Sequence, residues 1–169
     1  MDTATRERLV AAFKRDGPIL IVTIHADSEF QVLNDVNGAL EGGAHGVMIC
    51  KNANAMKPAA FLRTYDRART ANPRAWIGLN CGQQSFYQVL KQIPRTVSGV
   101  WTHGGVKGTP STGMEASRAR RSWHARPESA NQLWFAEPVA SNSFSDSASL
   151  VEKFCDVIVL PGANANRVQ

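Results

Sequence analysis

Short apolar runs alternate with amphipathic segments along the whole chain. The first run, residues 19–24, reads Ile-Leu-Ile-Val-Thr-Ile and holds almost no polar position. A strand that is apolar on both faces is typical of a parallel sheet covered by helices. Runs of the same character predict five further strands at 46–50, within 75–82, and at 99–102, 133–136 and 156–160.

Segments with helical periodicity separate these runs. Leu33, Val36 and Leu40 recur at the spacing of one helix face, and Asp27 or Ser28 is expected to cap that helix. Further helices are predicted at 1–13, 58–70, 85–92, 114–122 and 144–154. Strands that alternate with helices in this way indicate an α/β protein whose parallel sheet is either doubly wound or closed as a barrel.

A polar residue stands at the end of each of the first five predicted strands. These residues are His25, Lys51, Asn80, His103 and Glu137. In doubly wound sheets and in barrels, ligands bind at the carboxyl ends of the strands. We therefore expect the five side chains to surround one concavity.

Three of these residues are candidate catalytic groups. His25 has the chemistry of a general base, or it makes a structural hydrogen bond to a neighbouring strand end. Lys51 pairs with an anionic substrate or forms a Schiff base when desolvated, or it is an ordinary solvated lysine. Glu137 is a candidate acid or base, and its structural alternative is an ion pair with Lys51 or an arginine.

The other candidates are ligand-binding residues. The amide of Asn80 is suited to orient a ligand, and Gly82 permits a close approach of the backbone. Cys81, His103 and Gly104 complete this predicted set. The glycine-rich loop after His103 lacks the Gly-x-x-x-x-Gly-Lys-Ser/Thr pattern of a phosphate loop, so we expect a flexible loop over the mouth of a barrel.

The cysteines argue against a disulfide framework. Cys50, Cys81 and Cys155 are odd in number, and none belongs to a Cys-x-x-Cys pair. Free, mostly buried thiols are expected. Two of the thiols, together with His25 and His103, are ligand types that zinc accepts, but their spacing is not that of a zinc motif. We predict no bound metal, and the sequence indicates no particular cofactor.

Composition fits one soluble domain over residues 1–169. The chain has 43% hydrophobic and 20% charged residues. It has no run of about 18 apolar residues, and residues 1–16 lack the core of a signal peptide. We therefore expect no integral membrane segment and a cytoplasmic location. The net charge of +5 makes nucleic acid an alternative partner, although no aromatic stacking platform is interleaved with the arginines.

Four motifs occur in a fixed order: Val-Thr-Ile-His at 22–25, Gly-Gly-Ala-His-Gly-Val-Met-Ile at 42–49, Trp-Ile-Gly-Leu-Asn at 76–80 and Ser-Gly-Val-Trp-Thr-His at 98–103. This ordered set resembles the BtpA-like family of (β/α)8 barrels, which includes a photosystem I biogenesis protein. The resemblance implies a TIM-barrel fold and a soluble or peripherally membrane-associated protein, and it implies little about chemistry. Similar proteins usually carry Asp where His45 stands and an acidic residue near His103, so no active site is carried over.

The length of the chain qualifies the barrel prediction. A complete TIM barrel needs about 200 residues or more, whereas this chain has 169. We therefore predict an incomplete (β/α)8 TIM-barrel-like domain of about six βα units that lacks the last two. Open sheet edges favour pairing with another chain, so self-association is expected.

The leading functional hypothesis is binding of a small anionic ligand at the carboxyl ends of the strands, with lyase, isomerase or transferase chemistry as the associated reaction type. The family resemblance supports a rival hypothesis, a non-catalytic assembly or stability factor. A basic nucleic-acid-binding protein is the third. The residues leave open whether the chain is an enzyme.

Overall fold

The computed structural model describes residues 3–52, 55–81, 93–102, 118, 121–123, 125, 132–136 and 155–159. In chain order the elements are α1 (Thr3–Phe13), β1 (Ile21–Ala26), α2 (Glu29–Glu41), β2 (Gly46–Lys51), α3 (Pro58–Ala71), β3 (Trp76–Asn80), β4 (Gly99–Thr102), β5 (Leu133–Ala136) and β6 (Val157–Ile158).

The six strands form one parallel sheet in which spatial order follows chain order, β1-β2-β3-β4-β5-β6. Parallel neighbours require crossover connections between consecutive strands. The crossover from β1 to β2 is α2, and the crossover from β2 to β3 is α3. A sheet that adds each new strand beside the previous one is the arrangement of a β/α barrel rather than of a doubly wound sheet, whose strand order reverses.

Two hydrophobic clusters cover the two faces of the sheet. The cluster on the helix side joins β-strand residues such as Ile24, Ile49 and Ile77 to Val36 of α2 and Phe61 of α3. The cluster on the other face, here called the inward face, is centred on Met48, Cys50, Trp76, Leu133 and Phe135. Successive side chains of a strand point to opposite faces, so each strand contributes to both clusters.

Helix α1 packs against the inward face instead of joining the helix layer. Its residues Leu9, Ala12 and Phe13 contact the inward cluster, and the ring of Phe13 lies 5.1 Å from the ring of Trp76 between centroids. An ion pair also connects α1 to the residue that precedes β6. Arg8 Nη2 lies 2.6 Å from Oδ1 of Asp156, whose side chain is fully buried.

The helix boundaries have local causes. Ser28 precedes α2 in an extended conformation, and its side chain accepts a hydrogen bond from the N–H of Gln31, which satisfies one of the free donors of the first turn. Pro58 occupies the start of α3, where its missing N–H costs no helical hydrogen bond. Of the two capping residues that the sequence allowed, the structure selects Ser28.

Most predicted strands and helices in the described ranges are confirmed. β4 and β5 have the predicted bounds, and β2 and α3 each extend one residue further than predicted. The prediction for the first strand was wrong by two residues at each end, because β1 covers Ile21–Ala26 and not 19–24. In the sixth apolar run, of which the structure describes residues up to 159, β6 covers Val157–Ile158. The helices predicted at 85–92 and 144–154 lie outside the described residues.

The three cysteines occupy the predicted environments, and three of the tryptophans lie in or beside the core. None of the three cysteines forms a disulfide; Cys50 and Cys155 are buried and Cys81 is half-buried. Trp76 and Trp134 are buried core residues, and Trp101 packs at the edge of the inward cluster.

Candidate functional site

One lateral row of residues crosses the sheet near the carboxyl ends of its strands. His25 of β1 pairs in register with Cys50 of β2, Cys50 pairs with Asn80 of β3, and Asn80 pairs with Trp101 of β4. Because Cys50 and Trp101 belong to the inward cluster and in-register neighbours share a face, His25 and Asn80 also face inward. We call these four residues the inward row.

Exposure differs strongly from one end of the inward row to the other. Asn80 is buried, with 5% of its surface exposed, because strands flank it on both sides. His25 is exposed, as is Thr23 two residues before it, because β1 is the first strand of the sheet. The histidine ring is therefore the solvent-accessible end of a row whose other members are packed.

Lys51 and Cys81 belong to a second row on the opposite face. Lys51 pairs in register with Ala26, which is fully buried in the helix-side cluster. Cys81 directly follows Asn80, packs against the same cluster, and donates its backbone N–H to the carbonyl of Trp101 at 3.0 Å. The strand-end residues predicted from the sequence thus share one end of the sheet but divide between its two faces.

The thiol of Cys81 is strongly perturbed. Burial, with a smaller contribution from the neighbouring thiol of Cys50, raises the pKa of Cys81 to about 12 in spite of the opposing charge of Lys51. A thiol with so high a pKa stays protonated at neutral pH and is a poor nucleophile. Cys81 can therefore line a ligand site, whereas thiolate chemistry is disfavoured there.

A cleft of about 480 Å³ runs along the outer side of β1 and the facing side of α2. His25, Asp27 and Asp35 are among the residues that line it. Asp27 closes the turn after the strand, since its N–H donates to the carbonyl of His25 at 3.2 Å and its carboxylate accepts from Asn52 at 2.8 Å. His25 thus lines this cleft together with two acidic residues.

Four predicted site residues lie outside the described residues. They are Gly82, His103, Gly104 and Glu137. Within the described ranges, no group of three or more His, Cys, Asp or Glu side chains is close enough to hold a metal ion. Because His103 belongs to the undescribed set, the absence of a zinc site stays a prediction.

His45 has a structural position. Its Nδ1 accepts a hydrogen bond from the N–H of Leu20 at 2.8 Å, and its own N–H donates to the carbonyl of Leu20 at 2.9 Å. The guanidinium of Arg15 contacts the other ring nitrogen. The residue therefore fixes the entry to β1 at the amino end of the sheet, away from the inward row.

Sequence reasoning missed a second concave region at the amino ends of the strands. This cleft has a volume of about 580 Å³, and its lining includes Trp76, Ser98 and Gln132. A sequence signal exists in Gly46, Gly78 and Gly99, one glycine on each of three adjacent strands. An added Cβ at any of the three would come within 3 Å of the Trp76 ring, so the glycines provide the space that the indole occupies.

Two of the arginines that contribute to the net positive charge make contacts with other residues of the chain. Arg69 donates to the carbonyl of Ala75 at 2.6 Å and to Oγ of Ser98 at 2.7 Å, and thereby ties α3 to the starts of β3 and β4. Arg67 is paired with Glu29 of α2. Both contacts lie within the chain, that of Arg69 at the sheet and that of Arg67 at the surface between α2 and α3.

In the part of the chain that the structure describes, no helix combines the length and the apolar character needed to cross a bilayer.

Comparisons with known proteins find similar folds but identify no family for this chain. No family model and no curated protein matches the chain. Among solved structures, dihydrodipicolinate synthase from Rhodopseudomonas palustris aligns over 94% of this chain and 53% of its own, with 14% identity and a TM-score of 0.52. The EAL enzyme Bd1971 in its cGMP-bound form aligns over 89% of this chain and 42% of its own, with 14% identity and a TM-score of 0.49.

The dihydrodipicolinate synthase structure is a TIM barrel. This chain spans about half of the length of either similar structure. The predicted fold class is therefore confirmed: the chain has an α/β fold in which six parallel strands form an incomplete TIM-barrel-like sheet.

Proposed function

We propose that the chain binds a small anionic ligand at the carboxyl ends of its strands. The observation that carries this proposal is the inward row, in which His25, Asn80 and their neighbours stand side by side on consecutive strands. Ligands of parallel α/β folds meet this end of the sheet. The proposal does not depend on the similarity to enzymes, since a likeness of 14% identity concerns the fold alone.

The preference for an anion comes from the groups available at this end. Lys51 is the cation at this end of the sheet, on the face opposite the inward row, and its charge reaches the thiol of Cys81. The side-chain amide of Asn80 supplies hydrogen bonds without bringing a charge. Because the Cys81 thiol stays neutral, it adds no negative charge that would repel the ligand. The carboxylates of Asp27 and Asp35 line the cleft along β1 and α2, which His25 also lines.

Catalysis is a further step of the same proposal. His25 is the accessible residue of the row, and we assign it the role of general base in a lyase, isomerase or transferase reaction, with Glu137 as the second acid or base. Membership of the BtpA-like family, the single-domain organisation and a cytoplasmic location are likewise proposals that rest on the sequence.

A titration with inorganic phosphate tests the binding proposal. Backbone amide resonances of Asn80 and Cys81 and the ring resonances of His25 are followed by NMR while phosphate is added to the full chain. We expect saturable shifts at these positions. Lys51→Met removes the cation and Asn80→Asp introduces a charge of the same sign as the ligand, so each should weaken binding about tenfold or more.

The matched control is Lys14→Met. Lys14 is an exposed lysine that follows α1, so this variant loses the same charge without touching the row. Equal losses in Lys51→Met and Lys14→Met would mean that phosphate responds only to net charge, and the proposed site would be rejected. Shifts distributed over exposed arginines, with none in the row, would reject it as well.

A second proposal concerns self-association, and the exposure of β1 supports it. β1 is hydrogen-bonded to β2 on one side and to no other described strand. Leu20, at its entry, is 54% exposed. A strand edge of this kind pairs readily with another chain. We propose that β6 of one copy approaches β1 of the next, in keeping with an assembly role.

A further inference from the structure

The cleft at the amino ends of the strands lies at the opposite end of the sheet from the inward row. Its walls come from the α1 residues Ala11 and Ala12, from Trp76 at the start of β3, and from Gln132 just before β5. Its volume of about 580 Å³ is that of a small-molecule pocket. In barrels this end usually contributes stability rather than ligand binding.

Among the described residues that line this cleft, two carry a buried polar atom without a hydrogen-bond partner. These atoms are the indole Nε1–H of Trp76 and the side-chain Oε1 of Gln132. Only 5% of Trp76 and 6% of Gln132 is exposed. Native proteins leave few buried polar groups unsatisfied, because each costs the free energy of its lost hydration. An unpaired donor and an unpaired acceptor on one cleft are therefore a specific feature.

The geometry of the indole shows which way its N–H is directed. An added Cβ at Gly46 would meet Cε3 of Trp76 at 2.8 Å, whereas one at Gly99 would meet Cζ2 at 2.5 Å. In an indole, Nε1 and Cζ2 are bonded to the same carbon, so the N–H lies on the β4 side of the ring. Gly99 of β4 pairs with Leu133 of β5, which directly follows Gln132. The donor is thus directed towards the side that carries the acceptor.

The orientation of the Gln132 amide is also fixed. Its Nε2 donates to the backbone carbonyl of Arg95 at 2.8 Å. This hydrogen bond engages the amino group of the side chain and leaves Oε1 as an acceptor without a donor. Arg95 itself is exposed and lines the same cleft.

We propose that this cleft binds a neutral planar lactam or cyclic imide. The ligand's carbonyl oxygen accepts the hydrogen bond from Trp76 Nε1, and its adjacent N–H donates to Gln132 Oε1. Adjacent donor and acceptor groups on one flat edge match the two unpaired atoms in number and in kind. Ala11 and Ala12 offer small apolar side chains against which a flat ring can lie.

Access to the two atoms requires a movement of α1. Both atoms are inaccessible to solvent, and α1 contributes Ala11 and Ala12 to the wall of the cleft. Binding is therefore coupled to a displacement of this helix, which is joined to the sheet through Arg8 and Phe13 and through the contacts of Leu9 and Ala12 with the inward cluster.

Uracil and 1,3-dimethyluracil form a matched pair of probes. Both are flat and carry the same carbonyl groups, but the dimethyl compound has no N–H to donate to Gln132. The indole N–H resonance of Trp76, assigned with Trp76→Phe, is followed in the full-length chain during each titration. We expect uracil to shift this resonance saturably, with accompanying shifts in α1, and dimethyluracil to bind about tenfold more weakly or worse.

Variants provide the second arm of the test. Gln132→Met keeps the length of the side chain but removes the acceptor, and it should weaken uracil binding about tenfold. Asn34→Met, in the cleft beside β1, is the control that should leave binding unchanged. Thermal melts check that both variants are folded, and the two-probe comparison on the unaltered chain needs no variant.

Three results would overturn the proposal. The first is the absence of a saturable Trp76 shift with uracil at millimolar concentration. The second is equal affinity for the two probes. The third is a strong magnetisation exchange between the Trp76 indole N–H and a long-lived water in the ligand-free chain, because a buried water would then satisfy the donor.

Discussion

The indole of Trp76 lies so close to Gly99 that the neighbouring strand has no room for a side chain there. A Cβ at Gly99 would be 2.5 Å from Cζ2 of Trp76 and 3.0 Å from the carbonyl oxygen of Leu133. Phe13 of α1 packs on the same indole. The ring of this β3 residue therefore contacts both β4, through Gly99, and α1, through Phe13.

We predict that Gly99→Ala destabilises the chain by about 1–3 kcal/mol, because the added methyl group forces the indole or the backbone to shift. Gly38→Ala is the control. Gly38 lies within α2, and nothing approaches its Cβ position within 4 Å, so alanine there should stabilise the helix by about 0.5–1 kcal/mol. Urea unfolding measures both changes. If Gly99→Ala left the free energy of unfolding unchanged, the result would contradict the packing of the indole against β4.

The ion pair between Arg8 and Asp156 yields a second prediction. The Asp156 carboxylate is buried, accepts from Arg8 Nη2 at 2.6 Å and from the N–H of Trp134 at 2.9 Å, and so joins α1 to the β5–β6 region. Arg8→Met leaves this carboxylate buried without its cation and should cost about 3–5 kcal/mol.

The pair between Arg6 and Asp16 is the matched control for Arg8→Met. Its side chains are 61% and 66% exposed, so Arg6→Met should change the free energy of unfolding by less than about 1 kcal/mol. Thermal or urea unfolding of the two variants gives the comparison. Equal effects of the two substitutions would show that α1 is not anchored through Asp156.

The strands were predictable from sequence because their apolar runs are bounded by glycine, proline and polar residues. β4 and β5 have the predicted bounds for this reason. The first strand was misplaced because His45 supplies the hydrogen bonds for Leu20. That pairing joins residues 25 positions apart, and no local pattern reveals it.

The sequence predicted at which end of the sheet the candidate residues lie, but not on which face of the sheet each one lies. Carboxyl ends follow from strand direction, but the face on which a residue lies depends on the register. The structure assigns Lys51 to the face opposite His25 because Lys51 pairs with Ala26. The position of α1 on the inward face was equally inaccessible, because Leu9 and Phe13 indicate an apolar helix side without indicating its partner.

The perturbed thiol of Cys81 predicts a pH dependence of stability. Its pKa is about 12 in the folded chain against an ordinary value of 9.0. Between these values the unfolded chain loses a proton that the folded chain keeps, so stability falls as pH rises from about 9 towards 12. The slope from one such group is at most about 1.4 kcal/mol per pH unit.

Cys81→Ala isolates this contribution. The free energy of unfolding of the variant should decline less steeply than that of the unaltered chain above pH 9, while the two slopes agree below pH 8. Urea titrations at several pH values measure the difference, and groups common to both chains cancel. Identical slopes above pH 9 would contradict a buried, protonated Cys81.

The open edge of β1 predicts a concentration-dependent association that one proline should weaken. Leu20 donates its N–H to His45 and accepts the N–H of His45, so its main-chain groups face β2. The N–H and C=O groups of successive residues point to opposite edges of an extended strand. Thr23 is three residues after Leu20, so its N–H and C=O point to the open edge. Proline at position 23 then removes an edge donor and no bond to β2.

We expect the unaltered chain to associate at micromolar concentration and Thr23→Pro to weaken that association about tenfold or more. Thr23→Val, which keeps the branched shape and the main-chain N–H, is the control and should associate like the unaltered chain. Sedimentation velocity over a dilution series measures all three, and thermal melts confirm that the proline variant is folded. A monodisperse unaltered monomer that unfolds cooperatively would show that the β1 edge is covered within the chain, and the self-association proposal would then be wrong.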